Sequence, residues 1–137
     1  MKVIVDTSVW SLALRRRAPT DETVAELRRL VGQGRVAMLG PIRQELLSGV
    51  RDAAVFRRLR NHLRAFADEP LDHEDYERAA NHFNTCRAVG VQGSNTDFLI
   101  CAIAERRAYP VLTTDADFRR YAALLPVRLH PVEGAHQ

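Results

Sequence analysis

Two kinds of apolar segment alternate along the chain. Short β-branched or unbroken apolar runs occur at Lys2 to Val5, Arg35 to Leu39, Pro110 to Thr113 and Val127 to Val132. They are too brief for helices and predict strands. Longer stretches between them carry helical spacing. Thr7 to Arg16 predicts a helix in which Val9, Trp10, Leu12, Ala13 and Leu14 leave almost no polar face, the mark of a helix covered on more than one side. Ala18-Pro19-Thr20 breaks the chain, and Thr20 predicts the cap of a helix with Asp21 and Glu22 in its first turn, running to Gly32 and Gly34. Gly40-Pro41 opens a helix that carries Glu45 about one turn in and stops at Gly49; proline stands where its missing N–H costs nothing. Arg51 to Phe66 reads as a basic amphipathic helix, with Val55, Phe56, Leu59, Leu63 and Phe66 on one side and Arg57, Arg58, Arg60 and Arg64 mostly on the other. Asp68 to Leu71 is a turn with room for a short strand. Asp72 caps a helix towards Gly90, Ser94 begins one reaching about Arg107, and Asp115 to Leu124 predicts the last. Helices between short strands predict an α/β fold, a parallel sheet with helices on both faces.

Composition narrows the class. A chain of 137 residues fits one domain spanning 1–137, since two independent cores would be hard to build. Its 46% hydrophobic and 27% charged residues exclude disorder. Cys86 and Cys101 fall in helical stretches and form no C-x-x-C pair, which excludes a disulfide framework or zinc ribbon. The longest apolar run, Phe98 to Ala104, is far short of the ~20 residues a membrane helix needs. At the other end, Met1-Lys2-Val3-Ile4-Val5 meets Asp6 at once and leaves no charged-then-apolar leader. The expectation is a soluble, cytoplasmic chain. Net charge is +3, and Lys2 is the only lysine beside 19 arginines. Planar guanidinium groups suit phosphate recognition, although a coding bias towards arginine gives the same composition.

The acids fall in a pattern. Asp6 directly follows the first strand, and Asp115 stands just beyond the Pro110 to Thr113 strand. Ligands of an open parallel sheet bind beyond the carboxyl ends of its strands, so these two should share a crevice. Glu45 and Asp97 are each expected in the first turn or so of helices that leave the same edge, and Asp117 adds a fifth acid. Each one alone is explained by helix capping and the helix dipole, and Asp97 three residues after Ser94 has the look of a capping box. Together they are not. Asp6 and Asp115 at two strand mouths repel each other unless a cation lies between them, and hard oxygen ligands suit Mg²⁺ or Mn²⁺.

The stretches Asp6-Thr7-Ser8-Val9-Trp10, Glu45, Asn95-Thr96-Asp97-Phe98-Leu99-Ile100-Cys101-Ala102 and Leu112-Thr113-Thr114-Asp115-Ala116-Asp117-Phe118 stand in a recognisable order, with Asp115 eighteen positions after Asp97. On these the sequence resembles the PIN-domain ribonucleases, most closely the VapC toxins of prokaryotic toxin–antitoxin modules, over nearly its whole length. The resemblance implies a PIN-like three-layer α/β/α sandwich around a short, mostly parallel sheet. It matches Asp6, Glu45, Asp97 and Asp115 to an acidic catalytic quartet and Asp117 to a fifth acid found in some members. It further implies an Mg²⁺ or Mn²⁺ cofactor on these acids, an RNA substrate cut endonucleolytically, a VapB-type antitoxin, and a homodimer that forms heterotetramers or larger assemblies with it. Asn95-Thr96 and Cys101, where alanine is more usual, depart from the pattern without removing a ligand.

The chemistry expected is metal-assisted phosphodiester hydrolysis, with Asp6, Asp97 and Asp115 holding metal and Glu45 positioning either water or metal. Thr7, Ser8, Thr113 and Thr114 could support the carboxylates or simply satisfy turn backbone. His62, His73, His82, His130 and His136 read as surface histidines away from the strand mouths, and Cys86 and Cys101 as core thiols. A receiver domain would need a lysine beside the acids, and a haloacid-dehalogenase-type phosphatase a D-x-D where Asp6-Thr7-Ser8 stands. The remaining rival is a catalytically inactive PIN-fold module that binds RNA or protein. Arg57, Arg58, Arg60 and Arg64, with Arg15 to Arg17, are either RNA-holding rims or solvated faces. Trp10 and Leu14 either open a groove for a partner chain or are buried by the helices from Thr20 or Arg51.

Overall fold

The computed structural model describes residues 1–14 and 21–132. Strand β1 (Val3–Val5) is central and pairs in parallel with β2 (Val36–Ala37) on one side and β3 (Val111–Leu112) on the other. Val3 faces Val36, and Ile4 faces both Ala37 and Val111. All three β1 side chains are fully buried. Successive strand side chains point to opposite faces, so a strand dry at every position is covered on both. This is the sandwich expected, and every strand pair in it is parallel. The fourth expected strand, Val127 to Val132, does not form. It contributes one isolated bridge, Leu129 beside Val111, held by Val111 N–H to Arg128 C=O and His130 N–H to Val111 C=O. Pro126 and Pro131 flank that contact, and proline cannot donate to a ladder.

The covering helices are α1 (Thr7–Ala13), α2 (Glu22–Gly32), α3 (Gly40–Leu47), α4 (Ala53–Leu63), α5 (His73–Arg87), α6 (Asn95–Arg107) and α7 (Asp117–Leu124). Among the boundaries that differ from expectation, three have clear local reasons. The cap of α2 is Asp21, which accepts the N–H groups of Thr23 and Val24; Thr20 and Arg15 to Arg17 lie outside the described residues. Helix α4 ends at Leu63, and Phe66 is held back in a turn by its N–H to Leu63 C=O. Helix α7 starts at Asp117, two residues late, because Asp115 spends a carboxylate oxygen on the N–H of Asp117. In α6 every residue from Phe98 to Ala104 is buried, which is why this segment shows no polar face in sequence. Cys86 and Cys101 are buried as expected.

Helices α5 and α6 are joined by a buried carboxylate. Asp75 is fully buried and completes a capping box with Asp72. It also accepts from Arg106 Nη1 at 2.5 Å and Arg107 Nη2 at 3.3 Å, at the far end of α6. Burial alone would push its carboxyl up, but the Asp72 N–H, Arg106 and Arg107 outweigh it and hold the group below its ordinary value. Stability from this carboxylate is therefore present above the ordinary carboxylate range and lost as pH falls through the lowered value. Asp75→Asn is expected to cost about 2–3 kcal/mol near neutral pH, since the two arginines are only part-buried and keep some water. Thermal unfolding should show a Tm lower by roughly 10 °C, the difference closing as the two chains are compared at progressively lower pH.

Candidate active site

The acids gather beyond the carboxyl edge of the sheet. Asp6 continues β1, and its N–H bonds Leu112 C=O at 2.9 Å, which sets it beside the end of β3. It occupies the N-cap position of α1 yet makes no capping bond. Its Oδ2 instead accepts from Ser8 Oγ and Thr113 Oγ1, both at 2.8 Å. Thr113 Oγ1 in turn accepts the Asp115 N–H at 2.9 Å, and Ser8 Oγ accepts the Thr114 N–H at 3.1 Å. One hydroxyl network thus joins the mouths of β1 and β3, so Ser8 and Thr113 do more than satisfy their own turns.

Glu45 approaches from α3, where Thr7 Oγ1 donates to its Oε1 at 3.2 Å. Asp97 stands in the first turn of α6. Ser94 caps that helix by accepting the Asp97 N–H, but the Asp97 carboxylate does not complete a capping box. It accepts from Tyr121 Oη at 2.9 Å. Helix capping therefore accounts for Asp115 in part and not for the carboxylates of Asp6, Glu45 or Asp97. Asp117 is half-exposed, with Arg120 3.9 Å away.

The charges feel one another. Burial raises the Glu45 carboxyl above its ordinary value, and Asp97 and Asp6 push the same way against the Thr7 hydrogen bond. Burial likewise raises Asp97, opposed by Tyr121 and the Ser94 contact and reinforced by Asp6 and Asp115. Among the described residues no arginine, lysine or histidine pairs with Asp6, Glu45, Asp97 or Asp115. Nor, among them, do three acidic, imidazole or thiol groups stand close enough to form a ready-made metal cage. The donor chemistry nonetheless fits a hard divalent cation: oxygens only, with no cationic side chain paired with them among the described residues, and two carboxyls raised first by burial and further by neighbouring carboxylates.

A groove of about 540 Å³ opens beside Asp115, lined by Thr113, Thr114, Thr23, Arg119 and His130 among others. The histidines need correction. His82 and His130 are not surface residues: His82 Nε2 lies 2.9 Å from Glu105, and His130 Nε2 lies 2.6 Å from Glu26, each with a side chain nine-tenths buried. Arg29 also grips Glu26, and that contact, with His130, holds the carboxyl at about 2 despite burial. His82 is engaged in a different part of the surface, His130 is held by Glu26 at the wall of the groove beside Asp115, and His136 lies outside the described residues. Burial, with the Asp97 charge, pushes the Cys101 thiol far up, which suits a packing role. Tyr121 is not legible in sequence as a site residue. Its only signal is a hydroxyl at an otherwise apolar core position of the last helix.

Comparison with known proteins shows the family of the chain. The PIN domain family matches residues 3–124. The VapC ribonuclease Mb1587 of Mycobacterium bovis and the ribonuclease VapC11 of Mycobacterium tuberculosis are each 32% identical over 120 residues, 85% of this chain and 88% of the relative. The crystal structure of FitAcB from Neisseria gonorrhoeae superposes with a TM-score of 0.75, covering 94% of this chain and 96% of that one. At 22% identity that likeness is one of fold.

Proposed function

The chain belongs to the PIN-domain family, alongside its VapC ribonucleases, and from that premise we propose that it is a toxin endoribonuclease hydrolysing RNA phosphodiester bonds with Mg²⁺ or Mn²⁺. The observation that carries this reading is the uncompensated carboxylate cluster of Asp6, Glu45, Asp97 and Asp115 at the sheet edge. Such a cluster repels a phosphodiester until a cation reverses the local sign. A divalent ion held there by Asp6, Asp97 and Asp115 would supply an activated water and neutralise the leaving oxygen. The chain's own residues do the positioning. Ser8 and Thr113 fix the rotation of Asp6, Thr113 holds the Asp115 backbone to it, and Thr7 aims Glu45, which is assigned to water or metal. Asp117 is half-exposed, 3.9 Å from Arg120.

A VapB-type antitoxin that covers the acidic edge, and a second copy of this chain, are the protein partners proposed. The exposed Leu14 at the end of α1 is the part of the expected groove that stays open. The test is cleavage of end-labelled RNA by the purified chain with Mg²⁺, Mn²⁺ or excess chelator. Loss of product with chelator, restored by metal, supports the reading. Cutting that persists in chelator overturns it, and RNA binding without cutting points to the inactive binding module.

The arginines of α4 and its C-cap are either a face that holds the RNA backbone or a solvated helix face. Arg57, Arg58 and Arg64 are exposed, and Arg60 bonds the side chain of Asn61. Replacing Arg57, Arg58 and Arg64 by Ala together is expected to weaken RNA binding. The log–log salt dependence should flatten by about one unit for each phosphate that is no longer neutralised. Fluorescence anisotropy between low and moderate salt measures both. An unchanged slope makes this face a solvated one.

A further inference from the structure

Tyr121 is fully buried, yet its hydroxyl is not spent within the aromatic cluster around it. The ring packs on Phe98 at 5.0 Å and Phe118 at 5.1 Å, and Phe83 meets Phe98 edge-on at 5.5 Å. From that packed position Oη reaches Asp97 Oδ2 at 2.9 Å, with a longer contact to Gln92 C=O at 3.3 Å. The path is open only because residue 93 is glycine. A Cβ there would stand 2.2 Å from Oη and 2.9 Å from Cζ, well inside contact. Among the described residues, nothing donates to the other carboxylate oxygen of Asp97.

We infer that Tyr121 is a positioning residue for Asp97: its rigidly packed hydroxyl occupies Oδ2 and fixes the carboxylate's rotation, leaving Oδ1 to serve the metal. The inference rests on the metal-dependent reading of the quartet. A ring clamped by aromatic neighbours has little freedom, so the donated hydrogen bond arrives pre-oriented and costs little further ordering. Phenylalanine would fill the same space equally well. The hydroxyl, unlike the ring, has no packing purpose.

Tyr121→Phe removes that oxygen alone, and Phe83→Leu loosens the same cluster without touching any acid. Calorimetric titration of Mn²⁺ into each chain, thermal unfolding without metal, and steady-state RNA cleavage separate the roles. Tyr121→Phe is expected to bind Mn²⁺ about 10-fold more weakly, with Tm lowered by only a few degrees through the lost hydrogen bond and kcat reduced about 10-fold at constant KM. Phe83→Leu is expected to do the reverse, lowering Tm while Mn²⁺ affinity stays within about twofold. Equal Mn²⁺ affinity in Tyr121→Phe and the parent overturns the inference and leaves the functional reading standing. A parent chain that binds no Mn²⁺ and cuts no RNA overturns both.

Discussion

Asp6→Asn is expected to lower metal-dependent RNA cleavage by roughly a thousandfold, the rate equivalent of the several kcal/mol that a bound metal supplies to such a transition state. Asp6 is the member of the quartet with the least freedom to be replaced. It is nearly buried, its backbone is pinned to β3, and two hydroxyls converge on one of its oxygens. An amide keeps the shape and loses the charge. It also turns one of the two terminal atoms into a donor, which either faces Ser8 and Thr113 or replaces the remaining metal-binding oxygen. Stability should move the other way. Asp6 raises the proton affinity of both Glu45 and Asp97, so removing its charge relieves two strained carboxyls at neutral pH. A variant with unchanged or higher Tm, no measurable Mn²⁺ binding and no cleavage above that residual level is the predicted outcome. Retained Mn²⁺ affinity and cutting would remove Asp6 from the ligand set.

The same neighbourhood marks where sequence reading works and where it stops. Asp6 and Asp115 are legible as neighbours because strand ends in a parallel sheet converge on one edge, a rule of topology that needs only strand positions. Asp97 follows from a helix start, whereas Glu45 stands in the second turn of α3 rather than the first. What spacing cannot say is how each carboxylate is engaged. Asp6 sits at an N-cap without capping, and only the β1–β3 register puts Thr113 within 2.8 Å of it. Tyr121 reaches Asp97 across 24 residues through the space left by Gly93, a fact of packing invisible to any local window. His82 and His130 read as surface histidines for the same reason: their glutamate partners, Glu105 and Glu26, are 23 and 104 residues away. The fourth strand fails differently, since apolar alternation alone cannot register the loss of ladder donors at Pro126 and Pro131.

Trp10 is where two readings of the sequence stand balanced, and the structure chooses burial. Its side chain is only 4% exposed and meets Phe66 edge-on at 5.2 Å. Phe66 is held there by Arg43 of α3, which donates to Leu63 C=O, Phe66 C=O and the Asp68 carboxylate and so ties the end of α4 across α3. The segment after α4 therefore covers the face of α1 that a partner would otherwise use, and Leu14, 45% exposed, is left outside it. Trp10→Ala is expected to cost the isolated chain about 3–5 kcal/mol through reduced burial and the cavity left beside Phe66. Against a total of roughly 5–15 kcal/mol that is a large share, and Tm should fall by roughly 12–20 °C. Trp10→Phe should cost far less, because it keeps an aromatic edge for Phe66 and removes Nε1, a buried donor with no partner among the described residues. Leu14→Ala, on the exposed end of the same helix, should change stability by no more than about 0.5 kcal/mol. Urea unfolding of the three variants decides between the readings. A Trp10→Ala midpoint close to the parent's, with partner binding abolished instead, would return Trp10 to an interface.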